Sequence, residues 1–375
     1  MSLRFFHVFP SFDAGGLEVR ALQLMALLGP DVVHSVVALD GRTGALSKLP
    51  STVRFELVAP PRVRHTLGMT ISMAEAMRVR RPDLVLTYNW GAIESIAAAA
   101  LIGAGAVVHH EDGFGPEESA RPIKRRIYAR RCLLPAVRAL VVPSMRLAEM
   151  AKNVWHQPAE RVHYFPNGVD TTHFSPKASA TVEATREVVI GHVGRFRPEK
   201  NQVGLLRAYA ANSLLRAQAR LLFVGDGPEL PAAQALSKSL GIDDRVTFAG
   251  VASNPAPFYQ QMDIFTLSST TEQMPLSVLE AMATGLPIVS TAVGDVVSMM
   301  AEPNRELVVP SDRLDLLADT IATLVTDPRR RQTLGAANRA HVDQHFRLDA
   351  CLGRWTSLYR SLAARPSEPA RAAAR

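Results

Sequence analysis

SSTTEQMPLSVLEAMATGLPIVSTAVG, residues 268–294, decides how the rest of the chain is read. It begins as the end of a strand, continues as a loop carrying Glu272, and opens a helix near Pro275. Proline suits a first helical turn, because its missing N–H would have had no partner inside the helix. Gly285 suits the left-handed residue that stops a helix, and a new apolar strand starts at Pro287. A helix start beside the carboxyl end of a strand offers free N–H groups and the positive end of a dipole, which suits a phosphate. Glu272 lies on the loop beside that anion site, and Glu280 lies in the helix eight residues on. A diphosphate flanked by two carboxylates that accept hydroxyl hydrogen bonds points to a nucleotide sugar.

The stretch resembles the Glu-x7-Glu motif of glycosyltransferase family 4, whose members are retaining enzymes with the GT-B fold. An isolated pair of glutamates at this spacing would read as one loop residue and one helix residue. Here the flanking PLSVLEAMATGLPIV matches as well. The resemblance implies a role for each matching position. Glu272 takes the place of the first glutamate, near the donor sugar and phosphate. The backbone of Met274, Pro275 and Leu276 lies beside sugar and diphosphate, and only Met274 and Leu276 have an N–H to offer. Glu280 takes the place of the second glutamate, which accepts hydrogen bonds from the ribose hydroxyls.

Composition agrees with a folded enzyme. The 375 residues are 47% apolar and 21% charged, enough for two domains with sizeable cores. A net charge of +7 favours anionic partners: nucleotide phosphates, acidic lipid or nucleic acid. Cys132 and Cys351 form no metal-binding spacing and read as reduced thiols of a cytoplasmic protein. MSLRFFHVFPSF at the start reads as a first strand rather than a signal peptide. The longest apolar run, Ile96–Val108, is broken by Gly103 and Gly105 and is too short to span a bilayer.

Strands and helices alternate throughout, which predicts parallel sheets covered by helices. The expected fold is α/β, GT-B, with two Rossmann-like doubly wound domains facing across a cleft. Residues 1–177 are read as an N-terminal acceptor-side domain and 178–187 as a linker, within the polar, patternless PKASATVEAT (Pro176–Thr185). Residues 188–345 are read as the nucleotide-sugar domain. Residues 346–375 form a C-terminal helix that packs back on the N-terminal domain and ends in a frayed tail.

Further motifs lie at strand ends, where ligands gather in such folds. GHVGRFRPEKNQ (Gly191–Gln202) resembles the family's GR-x4-K signature. Gly194 permits close backbone approach, and Arg195 and Lys200 suit a diphosphate. GDGPE (Gly225–Glu229) reads as a tight turn, and FAGV (Phe248–Val251) stands where family members hold the base. In DAGGLEVRALQL (Asp13–Leu24), Gly15 and Gly16 resemble the family loop that approaches the diphosphate. Glu18 reads either as an acceptor-site residue or, by slight preference, as a favourable charge in a first helical turn. HHEDGFGPEE (His109–Glu118) puts Asp112 where many family members have a histidine before the glycine. Asp112 is the first candidate there and His110 the second, because strand alternation leaves the choice to register. Asn167 and Gly168 of PNGVD fit a structural turn.

RPIKRRIYARR (Arg121–Arg131) carries six basic residues in eleven and suggests peripheral contact with an anionic membrane. NRELVVP (Asn304–Pro310) departs from the family's usual NG-x-LV. The implied activity is a metal-independent, retaining hexosyl transfer from a nucleotide diphosphate sugar to a hydroxyl of a glycan or lipid-linked acceptor, as in cell-surface or exopolysaccharide synthesis. No cofactor and no metal ligand set is expected. A sugar-nucleotide epimerase and a non-catalytic nucleotide-sugar scaffold are the alternatives. Nucleic-acid binding is disfavoured, because the basic run lacks interleaved aromatics.

Overall fold

The structure, a computed structural model, describes residues 2–13, 15–63, 65–114, 118, 123–177 and 187–364. The chain divides into two compact units, Met1–Pro166 with Leu352–Arg375, and Asn167–Cys351. The first unit thus ends at Pro166 rather than at 177, and the PNGVD turn belongs with the second. Of the expected linker 178–187, only Glu187 falls within the described residues.

The first unit has seven strands: β1 (Leu3–Phe9), β2 (Val32–Ala38), β3 (Arg54–Val58), β4 (Leu84–Tyr88), β5 (Ala106–His110), β6 (Ala139–Val142) and β7 (Val162–Tyr164). They pair in parallel in the order β3-β2-β1-β4-β5-β6-β7. Central strands such as LVLTY and ALVV are buried along their whole length. A parallel sheet covered on both faces needs such continuous apolar runs. Ser144 caps the helix Met145–Asn153 by accepting from Leu147 N at 3.1 Å.

The second unit has six: β8 (Val188–Val193), β9 (Ala219–Val224), β10 (Val246–Phe248), β11 (Ile264–Leu267), β12 (Ile288–Thr291) and β13 (Val308–Val309). Their order is β10-β9-β8-β11-β12-β13, again parallel. Both sheets therefore wind outward first one way and then the other. The reversal falls between β1 and β4 in one unit and between β8 and β11 in the other. At such a switch point neighbouring loops run apart and leave a crevice at the carboxyl edge, where ligands bind. The glycine-rich DAGG segment follows β1, the GRFRPEK loop follows β8, and the loop carrying Glu272 follows β11.

The expected alternation of strands and helices is present in both units, with the helix Gly16–Leu28 after β1 and the helix Leu348–Ala363 within the expected C-terminal segment. Asn212 accepts from Leu215 N at 3.1 Å and starts a short separate helix, Ser213–Gln218, directly after the helix Gln202–Ala211.

Candidate active site

In the second unit, the helix Leu276–Ala283 starts with no side chain capping it. Among the described residues the amides of Leu276 and Ser277 have no partner and stay available at the carboxyl edge of β11, whereas Val278 N donates to the Pro275 carbonyl at 3.2 Å. The loop before it is shaped from below. Gly294 has φ +53°, and a Cβ there would lie 2.4 Å from the Gln273 carbonyl oxygen. Asp295 N donates to that same carbonyl at 2.8 Å. Asn167 holds the next residue, its side-chain amide donating to the Met274 carbonyl at 3.0 Å. The PNGVD turn therefore supports the loop that carries Glu272. Met274 and Pro275 are buried, while Leu276 is partly exposed.

Glu272 Oε1 accepts from Lys200 Nζ at 2.5 Å and from Ser269 Oγ at 2.8 Å. Arg195, on the same loop as Lys200, is exposed and forms no ion pair among the described residues. Gly194 has open space where a Cβ would stand. The GDG turn packs under this loop: a Cβ on Gly225 would meet the Gly194 carbonyl oxygen at 2.1 Å. Glycine is required there for the contact, in keeping with the structural role expected of the turn. Glu280 Oε2 accepts from Tyr259 OH at 2.6 Å. Burial pushes the Glu280 carboxyl above its ordinary range, and the bond from Tyr259 pulls the other way. Arg305 and Glu306 of NRELVVP face other work. Glu306 pairs with Arg330 at 2.7 Å, and Arg305 Nε reaches the Met300 carbonyl at 3.3 Å.

In the first unit the HHEDG segment splits between two faces of the sheet. His109 and Glu111 share one. Arg130 grips both Glu111 oxygens at 3.0 and 3.2 Å and lies over Trp155, 4.9 Å from the ring centre. Burial alone would raise the Glu111 carboxyl, but His109 and Arg130 outweigh it and hold it below its usual value. His110 and Asp112 share the other face. They are therefore not exchanged by register, as the sequence suggested; register exchanges the pair His109–Glu111 with the pair His110–Asp112.

His110 is fully buried, stacked on Tyr88 and Trp355 at 4.5 and 5.5 Å. Its Nδ1 meets the Thr87 carbonyl at 3.0 Å, which fixes the proton on that nitrogen. Nε2 then accepts from Tyr359 OH at 2.7 Å. Both nitrogens are taken, and burial with the nearby Arg20 charge keeps the ring neutral. His110 forms a floor rather than a contact surface. Asp112 sits above it: Asn89 Oδ1 accepts from its backbone N at 2.8 Å, and Oδ1 pairs with Arg20 Nη2 at 2.6 Å. Arg20 in turn lies 4.5 Å over the ring of Trp355.

Gly15 and Gly16 are exposed at the start of the helix Gly16–Leu28. The Glu18 carboxylate folds back over Gly15, where a Cβ would lie 2.5 Å from Oε2. Burial, with the Asp112 charge nearby, raises Glu18 to about 7, so it is more than a solvated first-turn charge. The sequence motifs assign no individual role to Arg20, Arg130 or Tyr259, and give Asn167 only a place in a structural turn. The basic helix is also less basic outwardly than it reads. Arg121 lies outside the described residues, and Arg126 and Arg130 turn inward to Glu118 at 3.0 and 3.3 Å.

Comparison with known proteins fits this geometry. Residues 14–173 match the family described as Glycosyltransferase Family 4, and residues 176–341 match Glycosyl transferases group 1. A GDP-mannose-dependent alpha-(1-6)-phosphatidylinositol monomannoside mannosyltransferase of Mycobacterium tuberculosis is 27% identical over 82% of this chain and 83% of its own. A D-inositol 3-phosphate glycosyltransferase of Kribbella flavida is 29% identical over 88% and 87%. The fold resembles that of Anabaena HepE, solved in complex with UDP, with a TM-score of 0.79, 18% identity, and coverage of 96% and 100%. Two matched halves in the family's order, on two doubly wound GT-B units, place the chain in glycosyltransferase family 4.

Proposed function

We propose that this glycosyltransferase moves a hexosyl group from a nucleoside diphosphate sugar to a hydroxyl of a glycan or lipid-linked acceptor, with retention at the anomeric carbon and without a metal ion. The observation that carries the reading is the second unit's switch point. An uncapped helix start, Arg195, which forms no ion pair among the described residues, and Lys200, which pairs with Glu272, lie at that edge, and Glu280 stands within the same helix. The helix start and the two cations stabilise a departing diphosphate, which supplies the charge compensation a metal would otherwise give. Glu280 accepts from the ribose diol. In the first unit Asp112, rather than the enclosed His110, is the residue proposed to meet a sugar or acceptor hydroxyl. The leaving phosphate takes the acceptor proton, since no carboxylate is proposed as a sugar nucleophile.

GDP-mannose and inositol or phosphatidylinositol acceptors belong to the relatives' names, and they set the first substrates to try. We place the enzyme in the cytoplasm as a peripheral protein. Among the described residues no helix is long and apolar enough to cross a membrane. Lipid contact through 121–131 would rest chiefly on the exposed Lys124 and Arg125, a smaller basic face than the sequence suggests.

The test is nucleotide release from a panel of UDP-, GDP- and ADP-sugars, with and without glycan or lipid extract. Acceptor-dependent release with an α-linked product from an α-linked donor supports the proposal. An isomerised donor without release would mean an epimerase, and binding without turnover a scaffold. Undiminished activity after exhaustive chelation is expected.

A further inference from the structure

Glu280 can recognise a ribose only if its carboxylate is held in one orientation. Tyr259, at the end of the helix Ala256–Tyr259, supplies the means. Its ring is fully buried and packs edge-on to Phe174 at 5.7 Å and tilted against Phe265 at 5.9 Å, so the phenol has little freedom. Its oxygen lies 2.6 Å from Glu280 Oε2 and 3.2 Å from the Ser277 carbonyl oxygen. A phenol has one hydrogen to give, and the shorter contact to a carboxylate takes it. Among the described residues Glu280 Oε1 has no hydrogen-bond partner. One oxygen is pinned from inside the unit, and the other remains for a ligand hydroxyl.

From this geometry, and resting on the donor-site reading above, we infer that Tyr259 is the positioning residue that aims Glu280 at the ribose diol and so makes the enzyme select ribonucleotides over deoxyribonucleotides. Burial keeps the phenol protonated well above neutral pH, so the donor is present whenever Glu280 is charged. Without the phenolic hydrogen, the carboxylate is free to rotate and loses its preferred acceptor direction. The effect falls on hydroxyl recognition, whereas the phosphate contacts of Arg195 and Lys200 are untouched.

The experiment is calorimetric titration of the full chain with UDP, GDP and their 2′-deoxy and 3′-deoxy counterparts. The wild type should bind the better ribonucleotide about tenfold more tightly than at least one of its deoxy forms. Tyr259→Phe, which keeps every ring contact, should shrink that ratio to about twofold while leaving affinity for the deoxy form nearly unchanged. Glu280→Gln should shrink it similarly. A melting temperature within a few degrees of wild type checks that the fold persists. If Tyr259→Phe binds both forms more weakly by the same factor, or keeps the tenfold ratio, the positioning role is overturned. A wild type without any ribose preference also overturns it. A wild type that binds no nucleoside diphosphate at all overturns the donor-site reading instead.

Discussion

Lys200 and Glu272 neutralise one another across 2.5 Å, with about a quarter or less of each side chain exposed. A diphosphate entering this site competes with Glu272 for the ammonium and is also repelled by the carboxylate. Opposite and like charges at such distances differ by a few kcal/mol at an effective dielectric near 20. Glu272→Gln should therefore tighten binding of UDP or GDP by about tenfold and lower turnover, because product leaves more slowly and the sugar loses its carboxylate. Lys200→Ala should weaken binding by at least as much. Titration of the two variants at low and at high salt reads both effects. The same logic applies to Arg20 and Asp112, whose side chains are 8% and 13% exposed. Removing one partner of a buried pair costs about 3 kcal/mol, because the other is left uncompensated. Arg20→Leu and Asp112→Asn should each destabilise by roughly that amount. The double variant should recover part of the stability, measured by urea unfolding, yet show no recovery of transfer. If it recovers transfer as well, Asp112 serves only to satisfy Arg20.

At the scale of elements, the loop after β11 depends on a residue from the far side of β12. Gly294→Ala places a methyl against the Gln273 and Glu272 carbonyls and forces an alanine to φ +53°. The expected cost is about 1–3 kcal/mol in stability. A larger loss is expected in nucleotide affinity, since the displaced loop carries Glu272. Equal affinity in the variant, with a normal melt, would show that the loop is shaped by something else. The strand pattern was plain in the sequence because buried parallel strands are unbroken apolar runs between turn residues. The helix start near Pro275 was plain, because the proline marks it. The partners of the site residues were not. Tyr259, Asn167 and Arg20 come from separate elements, and no local period encodes which side chain will reach Glu280, Met274 or Asp112. Strand alternation did carry one usable signal: positions 110 and 112 must share a face. It was the burial of that face under Trp355 and Tyr359, supplied by the last helix, that the sequence around position 110 could not reveal.

Across the whole molecule, both units carry neutral histidines on strands at or next to their switch points. His7 and His34 lie within 2.9 Å of each other on β1 and β2, and His110 lies on β5. His192 lies on β8, where its Nδ1 meets the Thr266 carbonyl at 3.0 Å. Burial lowers all four, with His34 and His192 brought to about 4 from an ordinary 6.5. The unfolded chain takes up these protons below about pH 6.5, while the folded chain refuses them until well below that, for His34 and His192 until about pH 4. Stability from these groups is thus complete above 6.5 and is lost as pH falls through that window. Glu18 and Glu280, whose carboxyls are raised by burial, act in the opposite sense over part of the same range, but Glu18 is discounted by its partial exposure. The four imidazoles outweigh them. At pH 5 each of His34 and His192 has lost about 2 kcal/mol relative to pH 7.5. Urea unfolding at the two pH values should show a marked fall for the wild type. His192→Asn should reduce that fall by about 2 kcal/mol, whatever its absolute stability at pH 7.5. An unchanged difference between the two pH values would mean that His192 takes up its proton in the folded chain as readily as in the unfolded one, so that at pH 5 the Thr266 carbonyl accepts from an imidazolium and burial of the ring carries no penalty.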